Sequence, residues 1–254
     1  MFDLISSQLF LGPAQRRLFR RGIPVFTYHS VGEPPCGARD PFLFVGKQRF
    51  AEQIKLLKEQ GFTSASLDEI SGSTGNPGKK IVITFDDGYR NVLKNALEIL
   101  RSNKFRSIQF IVADLIGTRN EWDVKNGDAP EPLMDAAEIR EWLAAGQEIG
   151  SHSLTHRNLA KLKLPDAREQ IFASKKKLED LFGVPIRHFC YPHGSYTPAV
   201  RDLVREAGYT TACTVKFGVN TSRTNPHEFK RIFCLSQTEL LAKVRHRLAR
   251  KFKM

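Results

Sequence analysis

The chain has 254 residues and a formal net charge of +12, from 39 Lys plus Arg against 27 Asp plus Glu. A hydrophobic fraction of 41% supports a substantial buried core, which excludes a disordered basic tail protein, and the length suits one large domain or two small ones. Every apolar run is interrupted well short of the roughly 20 residues that a bilayer crossing needs, so a spanning protein is excluded too.

The N-terminal segment, residues 1–22, carries Asp3 where a basic leader region belongs and then Arg16, Arg17, Arg20 and Arg21. That order is the reverse of a secretory signal and points to the cytoplasm. From there strand-like and helix-like segments alternate. β-rich runs fall at Ile23–His29, Phe62–Ser66, Lys80–Phe85, Ser107–Val112, Glu148–His152, Arg187–Tyr191, Tyr209–Thr214 and Arg231–Leu235. Amphipathic segments at Lys47–Gln60, Asn91–Ser102, Asp135–Ala145, Asp166–Phe182 and Thr197–Ala207 lie between them, several closed by a glycine. Strand then helix, about seven times without a linker, predicts one α/β domain over residues 23–235, a barrel or an open sheet. Ser71–Lys79 reads as a turn and Gly117–Met134 as a long polar loop. Cys36, Cys190, Cys213 and Cys234 show no metal or redox spacing and are expected to be free thiols.

The run Ile81–Phe85 is a buried-looking strand that ends in two adjacent carboxylates, Asp86 and Asp87, before Gly88. Active-site groups gather at the C-terminal ends of parallel strands, and two like charges side by side call for a cation or a proton between their roles. A metal ligand beside a general base is the economical reading. A second strand end carries His152 and His156, whose spacing in a helical turn would let both imidazoles face one ion. Asp87, His152 and His156 thus form a three-ligand set with open positions, as in a catalytic metal site, with Asp86 as the base that deprotonates a bound water. Zinc, cobalt, nickel or iron could each fill the set. The same two-His-one-carboxylate set also serves non-haem Fe(II) oxygen chemistry, and a carbohydrate-binding scaffold with a silent site is a third reading.

The segments Thr84-Phe85-Asp86-Asp87-Gly88 and His152-Ser153-Leu154-Thr155-His156 resemble the polysaccharide deacetylase family, also called the NodB-homology or carbohydrate esterase 4 family, over about Pro24–Leu235. The resemblance implies a distorted (β/α) barrel of about seven strands and removal of N-acetyl groups from amino-sugar polymers by a divalent metal, usually zinc, with Asp86 as base and Asp87, His152 and His156 as ligands. Cys190-Tyr191-Pro192-His193-Gly194 stands where the family carries an Arg-x-Pro-aromatic-Gly motif, so the arginine that orients the base is absent from that place. Arg187 and Arg231 are the candidates to supply it. The resemblance gives the Tyr191 backbone N–H to the oxyanion. The family's final Leu-x-x-His motif has no match near the C-terminus. The segment Pro24 to Gly32 is instead similar to the branch of poly-N-acetylglucosamine exopolysaccharide deacetylases, in which a Tyr-His pair, here Tyr28-His29, supplies the acid histidine. His193 is the next candidate acid, and Trp122 is placed to stack on a sugar ring.

The charge is uneven: residues 1–22 carry +3 and residues 236–254 carry +5. In the latter, Leu241, Val244, Leu248 and Phe252 form an apolar stripe among basic residues, as in a basic amphipathic helix. The expected partners are therefore an N-acetylated carbohydrate and, peripherally, an anionic membrane surface at the cytoplasmic side. No nucleic-acid-binding motif accompanies the charge.

Overall fold

The computed structural model describes residues 17–72 and 78–234. The expected C-terminal amphipathic helix over residues 236–254 and most of the basic N-terminal segment lie outside the described residues. In chain order the elements are β1 (Ile23–Tyr28), β2 (Ser30–Val31), β3 (Phe44–Val45), α1 (Lys47–Glu59), β4 (Thr63–Ser64), α2 (Leu67–Ser71), β5 (Lys80–Phe85), α3 (Arg90–Asn103) and β6 (Ile108–Ile111). They continue with α4 (Glu121–Val124), α5 (Ala136–Ala144), β7 (Glu148–Ser151), α6 (Leu164–Phe182), β8 (His188–Cys190), α7 (Pro198–Glu206), β9 (Thr211–Phe217), β10 (Val219–Asn220) and β11 (Phe229–Phe233).

Seven parallel strands close on themselves in the order β1, β5, β6, β7, β8, β9, β11 and back to β1. The expected (β/α) barrel is therefore present as a single closed sheet. β1 pairs with β5 from Val25↔Val82 to Tyr28↔Phe85, and the seam with β11 runs through Phe26↔Ile232 and Thr27↔Phe233. The barrel is distorted where β7 and β8 share one paired position, Ser151↔Phe189, and where the β9–β11 register shifts between Phe229 and Arg231. β10 runs antiparallel against the start of β1.

Each barrel strand has one face inward, so side chains two apart share it. Val25, Val82, Ile108, Phe110, Cys190, Cys213 and Phe229 belong to the buried cluster that fills the barrel. Phe110 occupies so much of that space that a Cβ on Gly150 would lie 2.6 Å from its ring and 2.8 Å from the His188 carbonyl, so only glycine fits there. Outside the strands α1, α3, α5, α6 and α7 bury one face each, through Phe50 and Ile54, Val92 and Ala96, Ile139 and Trp142, Ile171 and Leu178, and Val200 and Val204. Helix starts carry the signals that their residues predict: Ser66 with Glu69 and Asp135 with Glu138 form complete capping boxes. The expected polar loop between Gly117 and Met134 contains the short helix α4. No described helix is long and apolar enough to cross a membrane. The four cysteines are free, with Cys36 exposed and the other three buried.

Candidate active site

Asp86, Asp87, His29, His152, His156, Tyr191, His193, Trp122 and Arg231, all singled out from the sequence, line one pocket of about 140 Å3 at the C-terminal edge of the barrel. Asp40, Leu43, Asp123, Gly194, Val215 and Phe233 complete it. Barrel geometry explains the convergence: His29 follows β1, the two aspartates follow β5, His152 follows β7, Tyr191 follows β8, and Arg231 projects inward from β11.

The two adjacent carboxylates separate because the backbone turns between them. Asp87 takes a left-handed conformation with φ 74° and Gly88 another with φ 80°. That conformation costs a non-glycine residue about 1–3 kcal/mol and is typical of functional turns. Main-chain bonds fix it, from Asp86 N–H to the Tyr28 carbonyl at 3.0 Å and from Met134 N–H to the Gly88 carbonyl at 2.9 Å.

Asp86 then meets Arg231, whose Nη1 and Nη2 each donate to one carboxylate oxygen at 2.8 Å. Arg231 is 1% exposed. Its Nε donates to the Thr214 carbonyl at 2.8 Å and Nη1 reaches Thr84 Oγ1 at 3.4 Å, so the guanidinium is held on three sides. The charge missing from the motif at Cys190 is thus supplied from the far end of the chain. Arg187 sits on the surface beside Asp68 and takes no part. Burial would push the Asp86 carboxyl up, but the Arg231 charge and its two hydrogen bonds hold it below the ordinary carboxylate range. His29 Nε2 lies 3.8 Å from the same carboxylate, and its ring stacks on Phe233. Behind Asp86 the Cys190 thiol lies 3.7 Å from both carboxylate oxygens.

Asp87 faces the imidazoles. Its Oδ1 lies 3.3 Å from Nε2 of His152 and 3.3 Å from Nε2 of His156. His152 Nδ1 sits 2.7 Å from the Cys190 carbonyl, which can only accept, so Nδ1 carries a proton and Nε2 is the atom that faces Asp87. Burial works against the charged imidazole, but Cys190 and Asp87 hold its pKa well above the ordinary histidine value, and a cation on Asp87 would take the place of the Nε2 proton. Asp87 Oδ1 is buried without a hydrogen bond of normal geometry. Zinc–ligand distances of 2.0–2.2 Å place neighbouring ligands of a tetrahedron about 3.4 Å apart, so the spacing and the unbonded oxygen both fit a divalent cation. Burial pushes the His156 imidazole down to about 4, keeping it neutral as a ligand must be.

The spacing of His152 and His156 has a different basis from the one their sequence separation implies. Residues 152–156 are a tight turn rather than a helical turn, with left-handed Ser153 (φ 66°) and His156 (φ 60°). Thr155, donating through N–H and Oγ1 to Gln170 at 3.0 Å each, pins the turn to α6.

Tyr191 is a correction. Its N–H donates to the Cys213 carbonyl at 3.2 Å, because the β8–β9 ladder continues one residue past β8, and its hydroxyl donates to the His227 carbonyl. That N–H is not available to an oxyanion. Trp122 packs its indole 4.3 Å from the His156 ring at 33°, so part of one face backs the imidazole while the residue lines the pocket. His193, left-handed at φ 57°, sits edge-on with its ring 4.7 Å from that of His156. Phe233 could have been found by strand alternation, since it follows Arg231 by two. Asp40 precedes and Leu43 ends a single 3-10 turn, Pro41–Leu43, and neither carries a sequence signal; Arg39 ties that segment to the α4 region through N–H to Asp128 and Nη1 to the Asn126 carbonyl, both 2.9 Å.

Comparison with known proteins agrees with this architecture. The Bacillus subtilis (strain 168) protein YxkH is 24% identical over 200 residues, 77% of this chain and 65% of its own length. The poly-β-1,6-N-acetyl-D-glucosamine N-deacetylase of Escherichia coli (strain K12) is 28% identical over 132 residues, 50% of this chain and 18% of that protein. The chain thus spans under two thirds of either relative. IcaB from Ammonifex degensii shares the fold at a TM-score of 0.75 and 22% identity, covering 88% of this chain and 96% of that one. A family model described as polysaccharide deacetylase matches residues 73–212, more than half of the chain and inclusive of both the aspartate pair and the histidine turn. The chain belongs to the polysaccharide deacetylase family.

Proposed function

We propose that the protein is a metal-dependent hydrolase that removes N-acetyl groups from amino sugars of the N-acetylglucosamine type in a bacterial polysaccharide or glycoconjugate. One observation carries the reading: a ligand triad, Asp87, His152 and His156, lies beside a second carboxylate, Asp86, that Arg231 keeps ionised. A divalent ion on the triad, zinc or in its place cobalt, nickel or iron, would polarise the acetyl carbonyl and lower the pKa of a water.

The remaining work falls to the chain. Asp86 takes the proton of the attacking water, and the Arg231 fork aims its carboxylate. As the amide C–N bond breaks, the leaving nitrogen needs a proton, and His29 sits across the base to give it. An oxyanion needs a main-chain donor. In the turn from Tyr191 to Ser195, the Tyr191, Gly194 and Ser195 N–H groups donate to Cys213, Tyr191 and Pro192 carbonyls, and Pro192 has none, which leaves His193. The products are acetate and a free amine. The similarity to the Escherichia coli enzyme supports an N-acetylglucosamine-type polymer as substrate. The basic ends, +3 over residues 1–22 and +5 over 236–254, support a peripheral contact with an anionic membrane surface.

The Fe(II) reading leaves the Asp86–Arg231 pair without a task, and the scaffold reading leaves both carboxylates without one. The test is incubation of N-acetylglucosamine oligomers with the protein, followed by mass spectrometry for loss of acetyl units and an assay of released acetate. Release abolished by a chelator and by Asp86→Asn is the expected result. Undiminished release by Asp86→Asn refutes the mechanism.

A further inference from the structure

Asp86, His152 and Cys190 form a second buried triad, with one ligand atom from each lying within 4.8 Å of the others. We propose that this triad is an alternative cation position, taken by a thiophilic divalent ion in place of the Asp87–His152–His156 position. An ion there makes a ligand of the base. The inference rests on the proposed function only for that consequence, and the coordination stands on its own.

Three features carry it. The Cys190 sulfur lies 3.7 Å from both oxygens of Asp86. Zinc–sulfur and zinc–oxygen distances of about 2.3 and 2.0–2.2 Å put neighbouring S and O ligands of a tetrahedron about 3.6 Å apart, so the pair is already at ligand spacing. A carboxylate oxygen has two lone-pair directions, so Asp86 can keep its Arg231 bonds and still coordinate. Finally, His152 spends Nδ1 on the Cys190 carbonyl and has only Nε2 left to coordinate, the atom that faces Asp87. The two triads share His152, and a single ion occupies one or the other. Soft ligands select soft ions, so Cys190 tilts cadmium toward the second position, and oxygen and nitrogen donors alone leave harder ions on the first. Binding at Cys190 displaces the thiol proton to solvent and forms a metal–thiolate bond.

The experiment is titration of the metal-free protein with cadmium, in a Cys36→Ser background that removes the exposed thiol. Ultraviolet difference spectra are read for thiolate-to-cadmium charge transfer, and bound metal is measured separately. The parent should bind one cadmium with the charge-transfer band. Further substitution Cys190→Ser should lose the band while still binding cadmium through Asp87, His152 and His156. His156→Ala should keep the band, since the second triad does not use that residue. A parent that binds one cadmium without the band, or a band that survives Cys190→Ser, overturns the inference and leaves the proposed function standing. A parent that binds neither cadmium nor zinc overturns both.

Discussion

Replacing Arg231 by Met keeps much of the side-chain volume and removes the one positive charge bonded to Asp86. Arg231 and Asp86 are 1% and 3% exposed and joined by two 2.8 Å hydrogen bonds. Removing one partner of such a pair leaves an uncompensated buried charge and costs about 3–5 kcal/mol. For a chain of this size each kcal/mol lowers the melting temperature by roughly 2–4 °C, so Arg231→Met should melt about 6–20 °C below the parent. Chemistry changes as well as stability. Burial is then opposed only by the weaker influence of His152 and His29 and raises the Asp86 pKa, so the proposed base stays protonated to higher pH and the acid limb of kcat/KM moves upward. Arg231→Lys keeps the charge but loses the two-pronged geometry, and should fall between the two in both measurements. The double substitution Asp86→Asn with Arg231→Met removes both charges and should recover part of the lost melting temperature, giving a coupling that a purely steric role for Arg231 would not produce. Thermal melts and pH–rate profiles on a soluble N-acetylglucosamine oligomer are the assays. An Arg231→Met protein with the parental melting temperature and an unmoved acid limb would refute the reasoning.

The other expectations concern separate parts of the site. His29→Gln should lower kcat/KM on an N-acetyl amide by about 10²–10⁴-fold, and much less on an activated acetate ester whose leaving group needs no proton; equal losses on both would remove His29 as the acid. Asp87→Asn should lose bound metal by elemental analysis, and Asp86→Asn should retain it, which separates ligand from base; retention by both contradicts the assignment. Gly194→Ala would set a Cβ 2.3 Å from Val215 Cγ2 on a backbone with φ 64°, so a loss of about 1–3 kcal/mol in denaturant titrations is expected, and wild-type stability would show that the turn relaxes freely. Burial raises the Glu228 carboxyl, but hydrogen bonds from Arg201 and Lys216 more than offset this and bring it to about 2. A lowered carboxyl stabilises the fold above its ordinary pKa and loses that contribution as pH falls through the folded value. Glu228→Gln should therefore cost about 1 kcal/mol at neutral pH, after allowance for solvent screening, and the two melting curves should converge as the pH approaches 2; a constant gap is the contrary result.

What the sequence disclosed about the site follows from how far each interaction reaches along the chain. Asp86 and Asp87 announce themselves because an apolar strand ends in them, and His152 and His156 because two scarce residues follow another strand end. Both are local patterns. The reason for the histidine spacing was not local: two left-handed residues and the Gln170 clamp from α6 bring the rings together where a helical turn was expected. Tyr191 was misassigned because its amide is consumed by Cys213 on the neighbouring strand, a pairing that depends on register between β8 and β9. Arg231 was legible only as one of two candidate charges among 39 basic residues. Its partner lies 145 positions earlier, and what joins them is the seam where β11 meets β1 and β1 meets β5. The lowered pKa of Asp86, the proposed base, is therefore a consequence of barrel closure. A lesion on the β1–β11 seam, far from the metal ligands in sequence, should reach Asp86 through Arg231 while leaving the Asp87–His152–His156 triad, which is built on β5 and β7 and hung from α6, in place.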